Sequence, residues 1–320
     1  MRSPHHFAVA VRSPDGEIIV KAEPLAKTWI GRQKWLHWPF LRGSLALIDT
    51  MALGARAMRF AANVLSAHEN GTAGPAGPKN SQKVQDIAIG GAMVGGIALG
   101  LFLFNYLPNL LAQPLERAGA SGTLINFVTE LIKIIFFLGY IGAIGRMPEI
   151  QEVFRYHGAE HKAINALEAD RPLTIDEVRA QTRLHPRCGT SFAIVVLIVS
   201  LVIFTFVPRY PLGKPQGVLI DASLRFGIEL LILPIISGIA FEIIRWAGKH
   251  RRERLVTSLL WPGLMSQYLT TREPDDKHLE VAIRSLQSVM ALEQPESQPA
   301  PESADAETSS SADDDATTLS

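Results

Sequence analysis

Hydrophobic positions along this chain follow three rhythms, and each predicts a different element. Residues 7–21, FAVAVRSPDGEIIVK, alternate apolar with small or polar side chains on either side of SPDG. Period two predicts strands, and Pro14, which presets φ, with Gly16, which accepts positive φ, predicts the β-hairpin turn between them. Two strands alone are marginal in water, so this hairpin has to pack on another element. The next stretch, WIGRQKWLHWPFLRG, mixes Trp with basic residues, a composition that suits the lipid headgroup level and equally a soluble core.

The second rhythm is helical. In residues 44–65, Asp49, Arg56, Arg59 and Asn63 recur at intervals of seven, three and four, so they share one face of a helix that lies on the membrane or against the rest of the fold. Near the C-terminus, Leu279, Ala282, Ile283, Leu286, Val289 and Met290 form one stripe behind the start signals Pro274, Asp275 and Asp276, which predicts a docking helix.

The third rhythm is continuous. Residues 87–107, 123–145, 191–208 and 224–246 are apolar over about the 20 residues a bilayer requires. The GGAMVGG run of the first offers small residues for close helix contact. The expected fold is therefore mainly α: a polytopic membrane protein with about four transmembrane helices, an N-terminal β-hairpin and a metal-binding cytoplasmic loop. Its expected divisions are 1–43 (hairpin and Trp-rich segment), 44–68 (amphipathic helix), 69–86 (Gly- and Pro-rich linker), 87–246 (four-helix membrane domain with a site loop at 146–190), 247–292 (helical segment) and 293–320 (tail).

Composition sharpens this picture. The 320 residues are 47% hydrophobic and carry 31 acids against 31 Lys and Arg, but eight of the acids fall between Glu293 and Asp315. The remainder is net +8. A basic, hydrophobic body without aromatic-interleaved basic stripes argues against nucleic acid and for anionic lipid. The tail, rich in Ser, Pro, Ala and Asp, is expected to be disordered. The loop 146–190 holds seven cations, among them Arg146, Arg155, Lys162 and Arg187, and RWAGKHRRER follows the last span; the opposite side has little beyond Arg117, Arg209 and Lys214. The positive-inside rule then places both termini and the loop in the cytoplasm, in a multi-pass protein of the cell inner (plasma) membrane. No apolar stretch follows the first charge, so no cleavable signal peptide is expected. Cys188, the single cysteine, fits a reducing compartment and has no intrachain partner.

Candidate chemistry is concentrated in that loop. In YHGAEHKAINALE, His157 and His161 lie one helical turn apart with Glu160 between them, the HxxEH arrangement of two zinc-binding imidazoles and a carboxylate able to take a proton from water. LHPRCGTSF adds His185 and Cys188, spaced like half of a zinc knuckle. His157, His161, His185 and Cys188 make a donor set suited to tetrahedral zinc, with Glu168, Asp170 and Tyr156 as outer supports. The competing reading is a solvated helix start and an inert buried thiol. Glu130, Lys133, Glu229 and Glu242 within the spans raise a transport path, or mutual pairing and snorkelling.

The strings MRSP, VAVRSPDG, RG at Arg42 and Gly43, YHGAEHKAI, HPRCGTSF, and EPDD followed by LEVAI occur in the order seen in the YqhQ-like family of uncharacterised bacterial membrane proteins, described as predicted metal-dependent enzymes, and the chain resembles that family from residue 1 to about 292. The resemblance implies a multi-span membrane protein with a metal site on His157, Glu160, His161, His185 and Cys188. Such proteins usually carry a Gly-rich stretch before MRSP, so this chain is expected to start late. The expected function is a zinc-dependent hydrolase of a peptide, amide or lipid-linked substrate, with Glu160 catalytic. The alternative is a non-enzymatic assembly or scaffold protein, with a structural zinc site and membrane-protein partners in the lipid bilayer.

Overall fold

The structure, a computed structural model, describes residues 1–25, 42–69, 90–92, 94–249 and 254–293. Most of the Trp-rich segment, of the 69–86 linker and of the acidic tail lies outside these residues. Strands β1 (His6–Arg12) and β2 (Ile18–Pro24) are followed by helices α1 (Arg42–Glu69), α2 (Gly90–Arg117), α3 (Gly122–Ile144), α4 (Pro148–Glu168), α5 (Ile175–Arg179), α6 (Gly189–Phe206), α7 (Val218–Lys249), α8 (Arg254–Thr270) and α9 (Asp276–Glu293).

The hairpin forms as its alternation predicts. β1 and β2 pair antiparallel with Arg12 opposite Ile18, and Gly16 closes the turn at φ +91°, a conformation that a Cβ would disfavour. It packs on α9, whose Ser285 Oγ donates to the Ala8 carbonyl at 3.2 Å and whose Glu280 pairs with Arg12. α1 turns Asp49 and Arg56 toward the N-terminal segment, near Arg2 and Glu23, while Met51, Met58 and Leu65 stay exposed half a turn away. Its start is pressed against α7: a Cβ on Gly43 would collide with the backbone of Ser237 and Gly238, and Arg42 Nε donates to Glu242 Oε1 at 2.6 Å.

Among the described residues, four helices are long and apolar enough to cross a membrane: α2, α3, α6 and the Leu219–Ala247 part of α7. Their outward faces expose large apolar side chains, including Phe127, Ile135, Val202 and Leu231, a surface suited to lipid. Inside, α3 packs on α6, and α6 also meets α7 and α8. In α2 the turn Phe102–Tyr106 widens to a π-helix, and Asn105 and Asn109 are buried on its inner side. The segment expected as a loop, 146–190, is mostly helical. Pro148 starts α4 without a donor to lose, and Asp170 at φ 52° follows its end. The small residues Ala159, Ala163 and Ala166 of α4 let Leu279, Ala282, Ile283 and Leu286 of α9 pack closely against it.

Candidate metal centre

One face of α4 carries His157, His161, Asn165 and Glu168, at spacings of four, four and three, which keep them in line along the helix. This face grips the following chain by its carbonyls. Lys162 Nζ donates to Arg179 O and Gln181 O, both at 2.8 Å, and Asn165 Nδ2 donates to Thr182 O at 2.8 Å and Leu184 O at 3.1 Å. The grip folds 179–188 back over the two histidines and delivers Cys188 to them. A turn closed by Cys188 N donating to His185 O, at 3.3 Å, places Cys188 as the residue capping the start of α6.

Backbone carbonyls decide which imidazole nitrogen is free. His157 Nδ1 lies 2.8 Å from Thr270 O, and His161 Nδ1 lies 2.6 Å from Arg183 O. A carbonyl only accepts, so each Nδ1 carries the proton and each Nε2 presents a lone pair in the neutral ring. His157 Nε2 is 3.3 Å from Cys188 Sγ, and ligand atoms of His157, His161 and Cys188 all lie within 4.8 Å of one another. Thr190 Oγ1 sits 3.2 Å from the sulfur and 3.3 Å from Thr270 Oγ1.

Electrostatics favour an ionised sulfur. Burial opposes the thiolate, but the contacts with His157 and His161 outweigh it and bring Cys188 down to about 5. Burial likewise works against a charged His157, and its contacts with Cys188 raise it nonetheless. The N-terminal end of α6 adds positive potential at the sulfur.

The donor set fits a transition metal. A tetrahedral zinc ion with nitrogen ligands at about 2.0–2.1 Å and sulfur at about 2.3 Å needs N and S roughly 3.5 Å apart, close to the 3.3 Å seen between His157 and Cys188. Nδ1 protons anchored on carbonyls are the outer support that metal-binding histidines require.

The other expected residues are placed differently. His185 is buried, its ring 5.8 Å from that of His161, but its Nε2 faces Glu168 Oε1 at 3.3 Å and its Nδ1 accepts from Arg187 N at 3.3 Å. Glu168 also pairs with Arg187. Glu160 is half exposed and stands outside the group of converging ligand atoms, with Oε1 3.9 Å from the Met1 nitrogen. Tyr156 packs edge-on against His278 of α9, and Asp170 follows the end of α4. Sequence reasoning missed Lys162, Asn165, Thr190, Gln267 and Thr270. Gln267 of α8 accepts from His185 N at 2.8 Å and donates to His185 O at 2.7 Å, fixing the turn from behind. The 3.6-residue period could have placed Asn165 with the histidines, whereas nothing local in α8 announces Gln267 or Thr270.

Residues 38–292 match the family described as "Protein of unknown function (DUF1385)", and the chain belongs to it. That span holds every residue of the His–Cys cluster and its supports. The chain is 33% identical over 292 residues to "Uncharacterized protein YqhQ" of Bacillus subtilis (strain 168), an alignment that covers 90% of this chain and 88% of that protein. No solved structure matches it.

Proposed function

We propose that this chain is a membrane-embedded, metal-dependent hydrolase, with zinc the first choice of ion, held on the cytoplasmic face by His157, His161 and Cys188. The observation that supports the reading is convergence of three ligands, with His185 engaged elsewhere by Glu168 and Arg187. Three protein ligands leave a coordination position for chemistry, whereas four close a structural site. When bound, zinc supplies a Lewis acid that polarises a carbonyl and makes a nucleophile available near neutral pH.

The chain's own residues do the rest. Thr270 O and Arg183 O hold the imidazoles in one tautomer, and the α6 N-terminus favours the Cys188 thiolate. Glu160, beside His161 on α4 and open to solvent, takes the role of proton acceptor. Substrate class is read from the neighbourhood. An apolar cavity of about 340 Å³ between α3, α6 and α8, lined by Ile134, Leu138, Ile194, Trp261, Met265 and Leu269, ends one residue from Thr270. Its lining suits the hydrocarbon part of a lipid-linked ester or amide. The cytoplasmic orientation in the plasma membrane rests on the Lys and Arg asymmetry.

A structural zinc site is the second reading, and the burial of His161, Cys188 and His185 together favours it. Cobalt(II) in the purified full-length protein separates the two. An open site gives a thiolate-to-cobalt absorption band that is lost in Cys188→Ala, d–d bands that shift when azide is added, and full metal content in His185→Gln. No azide response together with metal loss in His185→Gln carries the structural reading. Glu160→Gln with full metal and full complementation of a deletion strain ends the hydrolase reading.

A further inference from the structure

At the end of the helical bundle opposite the His–Cys cluster, a cavity of about 310 Å³ opens where the end of α2, the 207–217 connection and the first turns of α7 meet. That volume is at the small end of the range for ligand sites, about 300–1,000 Å³. Arg117, Arg209 and Arg225 line it together with Glu116, Asp221 and Tyr210.

The two acids are already engaged. Glu116 accepts from Tyr210 Oη, and Asp221 Oδ2 accepts from the backbone N–H groups of Gln216 and Gly217, both at 3.1 Å. The guanidinium groups keep most of their donors. Arg117 reaches Gln113 Oε1 only at 3.5 Å, and Arg209 Nη1 donates to Asn109 Oδ1 at 2.8 Å. Arg225, 3% exposed, uses Nη1 on Asn126 Oδ1 at 2.7 Å, while its buried Nε and Nη2 have no hydrogen-bond partner. The carboxylates nearest those two nitrogens, of Glu229 and Glu130, stand 3.7 Å away and share Lys133. Arg225 is thus balanced by Glu229 and Glu130, whereas Arg117 and Arg209 bring to the same cavity two guanidinium groups that form no ion pair with a carboxylate among the described residues, an arrangement that suits an anion.

The surroundings say which kind. Leu110, Leu111, Leu219 and Ile220 are 39%, 49%, 69% and 53% exposed on the elements that wall the cavity. A charged recess flanked by lipid-facing leucines matches a molecule with an anionic head and an apolar tail. We propose that this cavity binds a phosphate-bearing anion, the headgroup of a lipid in the adjacent leaflet, with Arg209 and Arg117 as anchors and Arg225 behind them. This site is independent of the metal-dependent reading of the other end.

Thermal unfolding of the full-length chain in a neutral maltoside detergent tests the proposal with three probes: dihexanoylphosphatidylglycerol, dihexanoylglycerol and inorganic phosphate. The expected result is a saturable rise in unfolding temperature with the phospholipid and none with the diacylglycerol. Arg209→Gln and Arg117→Gln/Arg209→Gln should weaken the apparent affinity roughly ten-fold or more while unfolding like the wild type without probe. Arg225 is left intact because its loss would unbalance Glu130 and Glu229. An equal, Arg209-dependent rise with inorganic phosphate alone keeps the anion site and assigns it to a free phosphate. No rise with either phosphate probe, or a rise that both variants retain, overturns the proposal.

Discussion

Gly158 of α4 lies so close to the backbone of Arg272 that a Cβ at this position would overlap the Arg272 carbonyl. The approach is pinned by Arg272 N donating to Phe154 O at 2.9 Å, and it brings Thr270 to His157. Gly158→Ala is therefore expected to separate α4 from the end of α8, to lower stability by about 1–3 kcal/mol, and to reduce metal content with it. Gly139, with open space where its Cβ would stand, is the control: Gly139→Ala should change neither. Metal analysis and thermal unfolding of the two purified variants make the comparison.

This contact also marks where sequence reading stops. The hairpin, the four spans and the pairing of His157 with His161 are local, because each follows from a period of two, a continuous apolar run or a spacing of four. The partners of those histidines are not local. Thr270 is 113 residues from His157, and the carbonyl it offers has no sequence signature. The same limit affects His185: its spacing from Cys188 fits a knuckle, but its ring faces Glu168 and its backbone is held by Gln267, 82 residues away. Glu130, Lys133 and Glu229 are legible as intramembrane charges, while their grouping with Arg225 is tertiary.

Lys133 joins a buried acid and a partly buried one, with Nζ 2.9 Å from Glu130 Oε1 and 2.5 Å from Glu229 Oε1. Removing one partner of a buried charged group leaves the others uncompensated, at a cost of about 3–5 kcal/mol. Lys133→Met should thus unfold at a much lower temperature than the wild type. Adding Glu130→Gln should restore part of the loss, since it removes an acid that the change orphaned. Equal stability of Lys133→Met and the wild type would show that the group contributes nothing.

The N-terminal segment predicts a response to acid. Hydrogen bonds from Ser3 and His6, with His5 N at 3.1 Å, hold the Glu293 carboxyl at about 2, below its ordinary 4.5. A depressed folded-state value contributes stability above pH 4.5 that is lost as pH falls through about 2. Glu293→Gln should then be less stable near neutral pH and show a flatter decline between pH 4.5 and 2. Parallel curves for both proteins across that window would contradict this assignment.

Orientation is predicted from charge. Reporter fusions after residues 160 and 260 should read as cytoplasmic, and fusions near residues 115 and 214 as external. An external signal at 160 would move the thiol of Cys188 to an oxidising compartment and remove the basis for its role as a ligand.

The carbonyl that Thr270 gives to His157 has a consequence for biosynthesis. Cys188 and both imidazoles leave the ribosome before α8 exists, and 82 residues separate Cys188 from Thr270. At about 5–20 residues per second, the thiol waits roughly 4–16 s before the tautomer of His157 is fixed. Under the metal-dependent reading proposed above, the mature tautomer of the site therefore waits on the synthesis of a helix that supplies no ligand.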